Sequence, residues 1–295
     1  MASSTPARLI GICADDAGFA PGIAETAFEL GAQGRLSDAT CITTTACWPD
    51  AARFIRRQPK AGGPATRWGL HLNLSHGTPL SASLRAVWPE FPSLALLIAR
   101  AHGAFLPTAA IADEAAAQLD AFTQAMGRPP AFIDGHQHVH HLPGVRDAVV
   151  RMAAAARPGL AVRSTGRLPG PGFAFKRAVI ERSGGRALAR LLANAGLGHN
   201  RTLFGIYDFS AAPYRSRVQQ WLGAVAEKGS LLICHPAILR APDPDGPAMG
   251  EARRVEADYL ASPAFADDLA EAGVALGDPW LSAEGLATPR IRTGT

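Results

Sequence analysis

Short apolar runs alternate along the chain with longer stretches in which apolar residues recur at helical spacing. The short runs, bounded by Gly, Pro or Asp, predict buried strands, and the amphipathic stretches predict helices. The predicted strands are 9–14, 38–45, 68–73, 131–133, 161–163, 203–206, 230–234 and 274–276. The predicted helices are 22–30, 49–57, 109–126, 144–156, 173–195, 212–227, 251–260 and 263–272. Loops are predicted at 60–66, 166–172 and 242–250.

Strands that alternate with helices predict a mostly parallel sheet with helices packed outside it. Six or seven such units favour an α/β fold of the distorted (β/α) barrel type, TIM-like in plan, over an open sheet. We expect a single domain over residues 1–295. Prolines and glycines interrupt the apolar pattern after residue 74, so residues 75–108 are expected to form an insertion or a lid over the site.

Polar side chains follow four of the predicted strands. The pair Asp15-Asp16, His71, His136 and His235 each stand at or near the end of a strand. Because chemistry in such barrels collects at the carboxyl ends of the strands, we expect these groups to share one rim. The sequence therefore predicts a site assembled from distant parts of the chain.

The densest group of titratable residues lies in residues 134–141, where four of the nine histidines fall within six positions. On an extended backbone Asp134, His136, His138 and His140 would point the same way, because side chains alternate with period two. A solvated His-rich turn is the alternative interpretation. We expect His136 to serve the site directly, with His138 and His140 in support and His141 exposed.

Two adjacent carboxylates at Asp15 and Asp16 would repel each other unless a cation or a proton separated them. A helix N-cap would need one aspartate, so two at a strand end suggest a base beside a metal ligand. His71 alone would more often be a core residue. Together with a carboxylate and a second imidazole, it would leave positions open on a divalent metal for water and substrate.

Hydrolysis of an amide by a metal-activated water also needs an acid to protonate the departing nitrogen. His235, in the sequence Cys234-His235-Pro236, is the candidate for that acid. The alternative is a histidine that simply ends a strand before a proline.

Composition excludes several classes of function. Net charge is +4 and the basic residues are scattered, so no nucleic-acid partner is expected. The four cysteines form no CxxC pair, which argues against a structural zinc site. The sequence contains neither a secretory apolar region nor an apolar segment of membrane length, so we expect no membrane span and a cytoplasmic location.

Five segments stand out as motifs: 14–18 (ADDAG), 71–80 (HLNLSHGTPL), 133–140 (IDGHQHVH), 234–236 (CHP) and 254–263 (RVEADYLASP). In this order the chain resembles the YdjC/ChbG family of carbohydrate deacetylases, to which HpnK-like proteins are related. The resemblance spans nearly the whole chain. It implies a fold related to the polysaccharide deacetylase barrel, and a divalent-metal hydrolase that removes an acetyl group from an N-acetylated sugar or sugar conjugate.

The resemblance also implies roles for individual residues. Asp16, His71 and His136 would bind the metal, Asp15 would be the general base, and His235 the candidate general acid. Asp134, His138 and Arg163 would orient the metal ligands or the substrate. The family implies magnesium, whereas two imidazoles and one carboxylate suit zinc or another transition metal at least as well.

Two other functions stay open at this point. One is a metal-dependent hydrolase of another amide or of a phosphoester, which the absence of an Arg/Lys cluster beside the ligands disfavours. The other is a non-catalytic relative that binds a sugar or a metal, which would have no need of Asp15. The sequence also leaves a homodimer open.

Overall fold

A computed structural model describes residues 8–58, 65–156, 159–210, 213–226 and 228–281. Within these ranges the strands are β1 (Arg8–Ala17), β2 (Asp38–Cys41), β3 (Arg67–Leu72), β4 (Phe132–Gly135), β5 (Ala161–Val162), β6 (Thr202–Phe204), β7 (Ser230–Cys234) and β8 (Val274–Leu276). Each overlaps a predicted strand, because the apolar runs are short and bounded by turn residues, although β1 is longer than predicted and β2 ends at Cys41 and not at residue 45.

The helices of the described residues alternate with these strands. They are α1 (Ile23–Ala32), α2 (Trp48–Arg57), α3 (Ala82–Val87), α4 (Leu94–His102), α5 (Thr108–Met126), α6 (Val145–Ala155), α7 (Ala174–Ile180), α8 (Arg186–Asn194), α9 (Tyr214–Gly223), α10 (Pro247–Ala261) and α11 (Pro263–Glu271). None is both long enough and apolar enough to cross a membrane.

All strand pairs of the sheet are parallel, in the order β5-β4-β3-β2-β1-β7-β6, with β8 also paired to β1. Strand β1 pairs with three neighbours, β2, β7 and β8. The two edge strands, β5 and β6, are linked by the Asn200 side chain, which hydrogen-bonds the backbone N–H and C=O of Ser164. The predicted distorted (β/α) barrel is confirmed.

The sheet separates two apolar layers. Ile10 and Ile12 of β1 belong to the larger core beneath the helices. Cys13 belongs to a smaller cluster inside the barrel, which includes Phe132, Leu203 and Leu231. Alternate residues of a strand face opposite sides, so this pattern places the odd-numbered residues of β1 as far as Cys13 toward the barrel interior. Asp15 follows in that phase.

Three predicted elements differ from the structure. The interrupted segment after residue 74 forms α3 and α4, because its apolar residues are helically spaced between serine N-caps and later breaks. The predicted loop at 242–250 is shorter, since α10 begins at Pro247 with proline in its first turn. The predicted helix over 173–195 is divided by a π-helical turn at Glu181–Gly185. Most of the predicted loop at 60–66 lies outside the described residues.

Candidate active site

The carboxyl ends of β1, β3, β4 and β7 meet around one cavity of about 570 Å³. Asp15, Asp16, His71, His136 and His235 all line it, as the strand-end pattern predicts. The two aspartates are about 2% exposed, and His71 and His136 are 2% and 4% exposed. Five titratable side chains from the ends of four separate strands are therefore gathered around one cavity, and four of the five are almost fully buried.

A bulge in β1 explains how two neighbouring aspartates reach the same cavity. The register between β1 and β2 shifts between Ala14 and Ala17, and Asp16 has φ +71°. A regular strand would turn Asp16 away from Asp15, toward the helices. The left-handed conformation rotates it back, a strained arrangement of the kind that functional sites retain.

Asp16 is the meeting point of two imidazoles. Its Oδ1 lies 3.3 Å from His71 Nε2 and 3.0 Å from His136 Nδ1. Asp134 fixes the orientation of the His71 ring, because His71 Nδ1–H donates to Asp134 Oδ1 at 2.6 Å. Thr40 donates to the same oxygen at 2.8 Å. The nitrogen of His71 that faces Asp16 is therefore fixed as Nε2.

The charge of His71 follows from these neighbours. Burial alone lowers the pKa of His71, but the Asp134 carboxylate beside it reverses the effect and raises the pKa to about 10. Burial raises the pKa of Asp16, yet Arg253 and His136 more than offset burial and hold it well below its usual range. These shifts favour a negatively charged Asp16 carboxylate facing a positively charged His71 imidazole.

These residues fit a divalent cation. One ligand atom each from Asp16, His71 and His136 lies within 4.8 Å of the others. A carboxylate and two imidazoles form a ligand set that zinc and other divalent metals accept, with positions left for water or substrate. An acidic partner on the outer nitrogen of His71 is also the usual support of a metal-binding histidine.

Arg253 of α10 supports Asp16 from the other side. Its Nη2 donates to Asp16 Oδ2 at 2.7 Å and its Nε donates to Asp243 Oδ2 at 2.7 Å. The side chain is fully buried. The sequence motif drew attention to Arg254, but that residue faces outward and pairs with Glu251 and Asp258.

Asp15 belongs to a second cluster. Arg163 donates to both of its carboxylate oxygens at 2.6 Å and forms an ion pair with Asp134 Oδ2 at 2.6 Å. Arg163 also contacts Cys13 Sγ at 3.1 Å. The acidic groups of this cluster therefore surround a guanidinium, and Asp134 links the cluster to His71. Asp134 and Arg163 lie where supporting residues were expected.

The expectation of an extended His-rich stretch is wrong. Residues His136–His141 form a tight 3-10 turn in which Gln137 and His138 have φ of 52° and 62°. The four histidines consequently point in different directions. His136 faces Asp16, and His138 lines the cavity with its Nδ1 buried and without a hydrogen-bond partner.

His140 and His141 have hydrogen-bond partners outside the group formed by Asp16, His71 and His136. His140 Nε2 lies 2.9 Å from the Arg163 carbonyl, and His141 lies between the hydroxyls of Thr165 and Ser183 at 2.9 and 3.1 Å. Burial lowers the pKa of each to about 3. The expectation that His141 is exposed is wrong, since it is 3% exposed.

His235 directly follows β7 at the wall of the cavity, where Phe209 meets its ring edge-on with centroids 5.1 Å apart. Its backbone N–H donates to Glu256 Oε2 at 2.5 Å. Its Nδ1 is buried without a hydrogen-bond partner, and burial lowers the pKa of the ring to about 4. The imidazole is therefore neutral at pH 7.

Away from the acidic groups the cavity wall is largely apolar. Leu94 and Ile98 of α4 line the cavity, and so do Val179 and Ile180 of α7. Part of the 75–108 segment thus lines the cavity, and its expected role as an insertion or lid over the site stays a prediction.

Sequence reasoning missed four polar residues around the site: His76, Arg253, Asp243 and Asp245. His76 lies inside the 71–80 motif, so its position was a usable signal. Arg253 and Glu256 are three residues apart and share a buried helical face, a spacing already present in the predicted helix at 251–260. Asp243 and Asp245 fall in a segment predicted only as a loop.

The fold and this cluster define an α/β-barrel protein with a candidate metal site at the carboxyl ends of its strands. A family model described as "YdjC-like protein" matches residues 9–271. The chain belongs to this family, which confirms the resemblance seen in the motifs.

Named relatives agree with that assignment. A human carbohydrate deacetylase is 30% identical over 92% of this chain and 90% of its own. A chitooligosaccharide deacetylase from Serratia marcescens is 29% identical over 92% of this chain and 97% of its own. A crystal structure from Enterococcus faecalis V583, provisionally described as a cellobiose-phosphate cleavage protein, aligns with a TM-score of 0.70 at 20% identity, over 96% of this chain and 100% of its own. That last likeness shows the fold.

Proposed function

We propose that this protein is a metal-dependent hydrolase that removes the acetyl group from an N-acetylated sugar or sugar conjugate. The observation that carries the proposal is the convergence of Asp16, His71 and His136 next to Asp15 in one cavity. The deacetylase names of the relatives support the same reaction.

Asp16, His71 and His136 would hold the divalent cation. When bound there, the cation would polarise the acetyl carbonyl and lower the pKa of a water molecule. Magnesium is favoured by the family resemblance, and zinc or another transition metal by the two imidazole ligands.

Asp15 is the proposed general base. Arg163 donates hydrogen bonds to both of its carboxylate oxygens, which fixes the carboxylate at the edge of the cavity. In the reaction Asp15 takes a proton from water as the water oxygen bonds to the acetyl carbon. Binding of Arg163 to both Asp15 and Asp134 also keeps the base and the support of His71 in a constant relative position.

His235 is the proposed acid for the departing amine. With a pKa lowered to about 4 by burial, it enters the cycle neutral. It therefore donates to the amine nitrogen only after taking up a proton from solvent, which negative charge developing on the substrate in the same cavity favours. Cleavage of the C–N bond then leaves acetate and a free amino sugar. Asp15 releases to solvent the proton that it took from water, so that both groups return to their starting states.

The electrostatics favour an amide over a phosphoester. Both buried arginines beside the site are already bound to carboxylates, Arg163 to Asp15 and Asp134, and Arg253 to Asp16 and Asp243. Lys176 lines the cavity, and its ammonium donates to the Tyr207 carbonyl at 2.6 Å. Among the described residues the cavity thus has few cationic donors for a phosphate.

The test is release of acetate from N-acetylglucosamine, from chitobiose and from an N-acetylglucosaminide with an alkyl aglycone. The alkyl compound is included because the apolar wall could bind such a group. We expect acetate from at least one substrate, loss of release after chelation, and recovery when the metal is restored. Phosphate release from sugar phosphates without any metal-dependent acetate release would contradict the proposal.

A further inference from the structure

His76 occupies a defined position beside the proposed metal ligands. Its Nδ1 lies 3.2 Å from His136 Nε2, and the two rings meet edge to face with centroids 4.9 Å apart. Its own Nε2 lies 3.2 Å from Asp245 Oδ1. The groups form a line from Asp16 through His136 and His76 to Asp245.

The loop that carries His76 is held in place by Asn73. The Asn73 side chain accepts the backbone N–H of His76 at 3.1 Å and donates to its carbonyl at 2.7 Å. Phe19 packs against the imidazoles of both His76 and His136, at 5.3 and 5.2 Å. With its backbone and ring both fixed, His76 keeps a constant geometry toward His136.

The carboxylate end of the line is also anchored. The backbone N–H of Asp245 donates to Asp243 Oδ1 at 2.8 Å, and Asp243 binds Arg253, which binds Asp16. The segment that contains Asp243 and Asp245 therefore supports the proposed metal ligands in two ways. It holds Asp16 through Arg253, and it holds His136 through His76.

Proton positions then follow from the line of contacts. His136 can offer Nδ1 to a cation next to Asp16 only if its proton is on Nε2. That N–H needs an acceptor, which His76 Nδ1 supplies when the proton of His76 is on Nε2 and donates to Asp245. We propose that His76 and Asp245 are positioning residues that orient His136 as a metal ligand, as Asp134 orients His71.

This inference rests on the proposed metal-binding function of the site. It treats His76 as a residue acting through His136. The three ligand atoms that lie within 4.8 Å of one another come from Asp16, His71 and His136, and His76 contributes none. Partners of this kind commonly change metal affinity by about 10–100-fold when removed.

The test measures metal affinity by calorimetry, with Zn²⁺ and Mn²⁺ separately, in the wild type and in His76→Ala. We expect affinity to fall by about 10–100-fold in His76→Ala, and by about tenfold in Asp245→Asn. His76→Gln should recover most of the loss, because its amide can accept from His136 and donate to Asp245. The control is His102→Ala at the exposed end of α4, which should leave affinity unchanged.

A second readout separates positioning from direct ligation. In the Zn²⁺-loaded wild type, ¹⁵N NMR of the imidazoles should show His136 bound through Nδ1 and His76 as the neutral Nε2–H form. A metal-shifted nitrogen in His76, or unchanged affinity in His76→Ala, would overturn the proposal. A wild type that binds metal but releases no acetate would contradict the proposed function and leave this inference intact.

Discussion

Two buried clusters of acidic residues lie side by side in this barrel. Adjacent residues of β1 belong to them, Asp15 to one and Asp16 to the other. Around Asp15, the carboxylates of Asp15 and Asp134 surround the guanidinium of Arg163. Around Asp16, one carboxylate oxygen binds Arg253 while the other faces two imidazole nitrogens. Both groups also resemble metal sites by the spacing of their ligand atoms.

The difference lies in where the positive charge comes from. A buried carboxylate needs a partner, and in the first cluster the chain supplies one permanently as arginine. In the second, the partners of Asp16 Oδ1 are imidazoles that can exchange a proton for a metal. The first cluster is therefore suited to hold a base in place, and the second to bind a cation.

The largest effects should come from exchanging carboxylate for amide at these two positions. Asp15→Asn should bind metal normally and lose about 10²–10⁴-fold in acetate release, as removal of a general base does. Asp16→Asn should lose metal binding as well as activity. Asparagine suits position 16 because it tolerates the positive φ there.

Calorimetric metal titration beside acetate assays separates the two variants. Unchanged turnover in Asp15→Asn would reject its role as base. Full metal affinity in Asp16→Asn would show that the cation binds elsewhere.

Replacement of Arg163 and replacement of Arg253 should both lower stability, but added metal should restore stability only in the Arg253 variant. Arg163→Met removes the partner of two buried carboxylates and should lower the free energy of unfolding by about 3–5 kcal/mol. Arg253→Met should destabilise similarly without metal, but added metal should restore part of the loss because Asp16 would regain a cation. Urea unfolding with and without metal measures both effects.

A matched control for these variants is Arg254→Met, on the same helix but exposed, which should change stability by less than about 0.5 kcal/mol. If metal rescued Arg163→Met as well as Arg253→Met, the contrast between the clusters would be lost.

Metal binding should release a proton from His71. The pKa of about 10 means that His71 is protonated in the metal-free protein at pH 7, whereas a ligand nitrogen must be unprotonated. Apparent affinity should therefore rise by about tenfold per pH unit between pH 6 and 9. Calorimetry in buffers of different ionisation enthalpy counts the protons, and a pH-independent affinity would contradict this account of His71.

The effect farthest from the proposed chemistry concerns His141, at the end of the histidine turn. Its pKa is lowered to about 3, so below pH 6.5 the unfolded chain binds a proton that the folded chain does not. Its contribution to stability is present above pH 6.5 and is lost as pH falls toward 3. His141→Gln should reduce the slope of unfolding free energy at pH 4–5 by about 1.4 kcal/mol per pH unit.

Denaturant unfolding at several pH values measures that slope. An exposed histidine, replaced as His102→Gln, provides the comparison, and equal slopes in wild type and His141→Gln would show that His141 does not remain neutral when folded.

The barrel could be predicted because apolar runs of fixed period specify strands and helices locally. The set Asp16, His71 and His136 could be predicted as neighbours because parallel strands end at one rim. The backbone at Asp16 could not, since the bulge depends on pairing between β1 and β2.

Other details needed tertiary contacts as well. The histidine turn was predicted as extended, whereas Gly184 lies so close to the His141 carbonyl that a Cβ there would come within 2.0 Å of its oxygen. The π-helical turn thus packs closely against the turn at residues 136–141. The alternation of side chains along a strand does not predict this contact. Arg253 was missed although it lies inside the predicted helix at 251–260, because its contacts with Asp16 and Asp243 join segments that are distant in the sequence or separated by a loop.

The central claim is that a divalent cation binds to Asp16, His71 and His136. The most direct measurement is anomalous diffraction from crystals soaked in Mn²⁺ or Zn²⁺. We expect one peak within bonding distance of Asp16 Oδ1, His71 Nε2 and His136 Nδ1. A peak instead between Cys13, Asp15 and Asp134, or no peak at either cluster at saturating metal, would contradict the account.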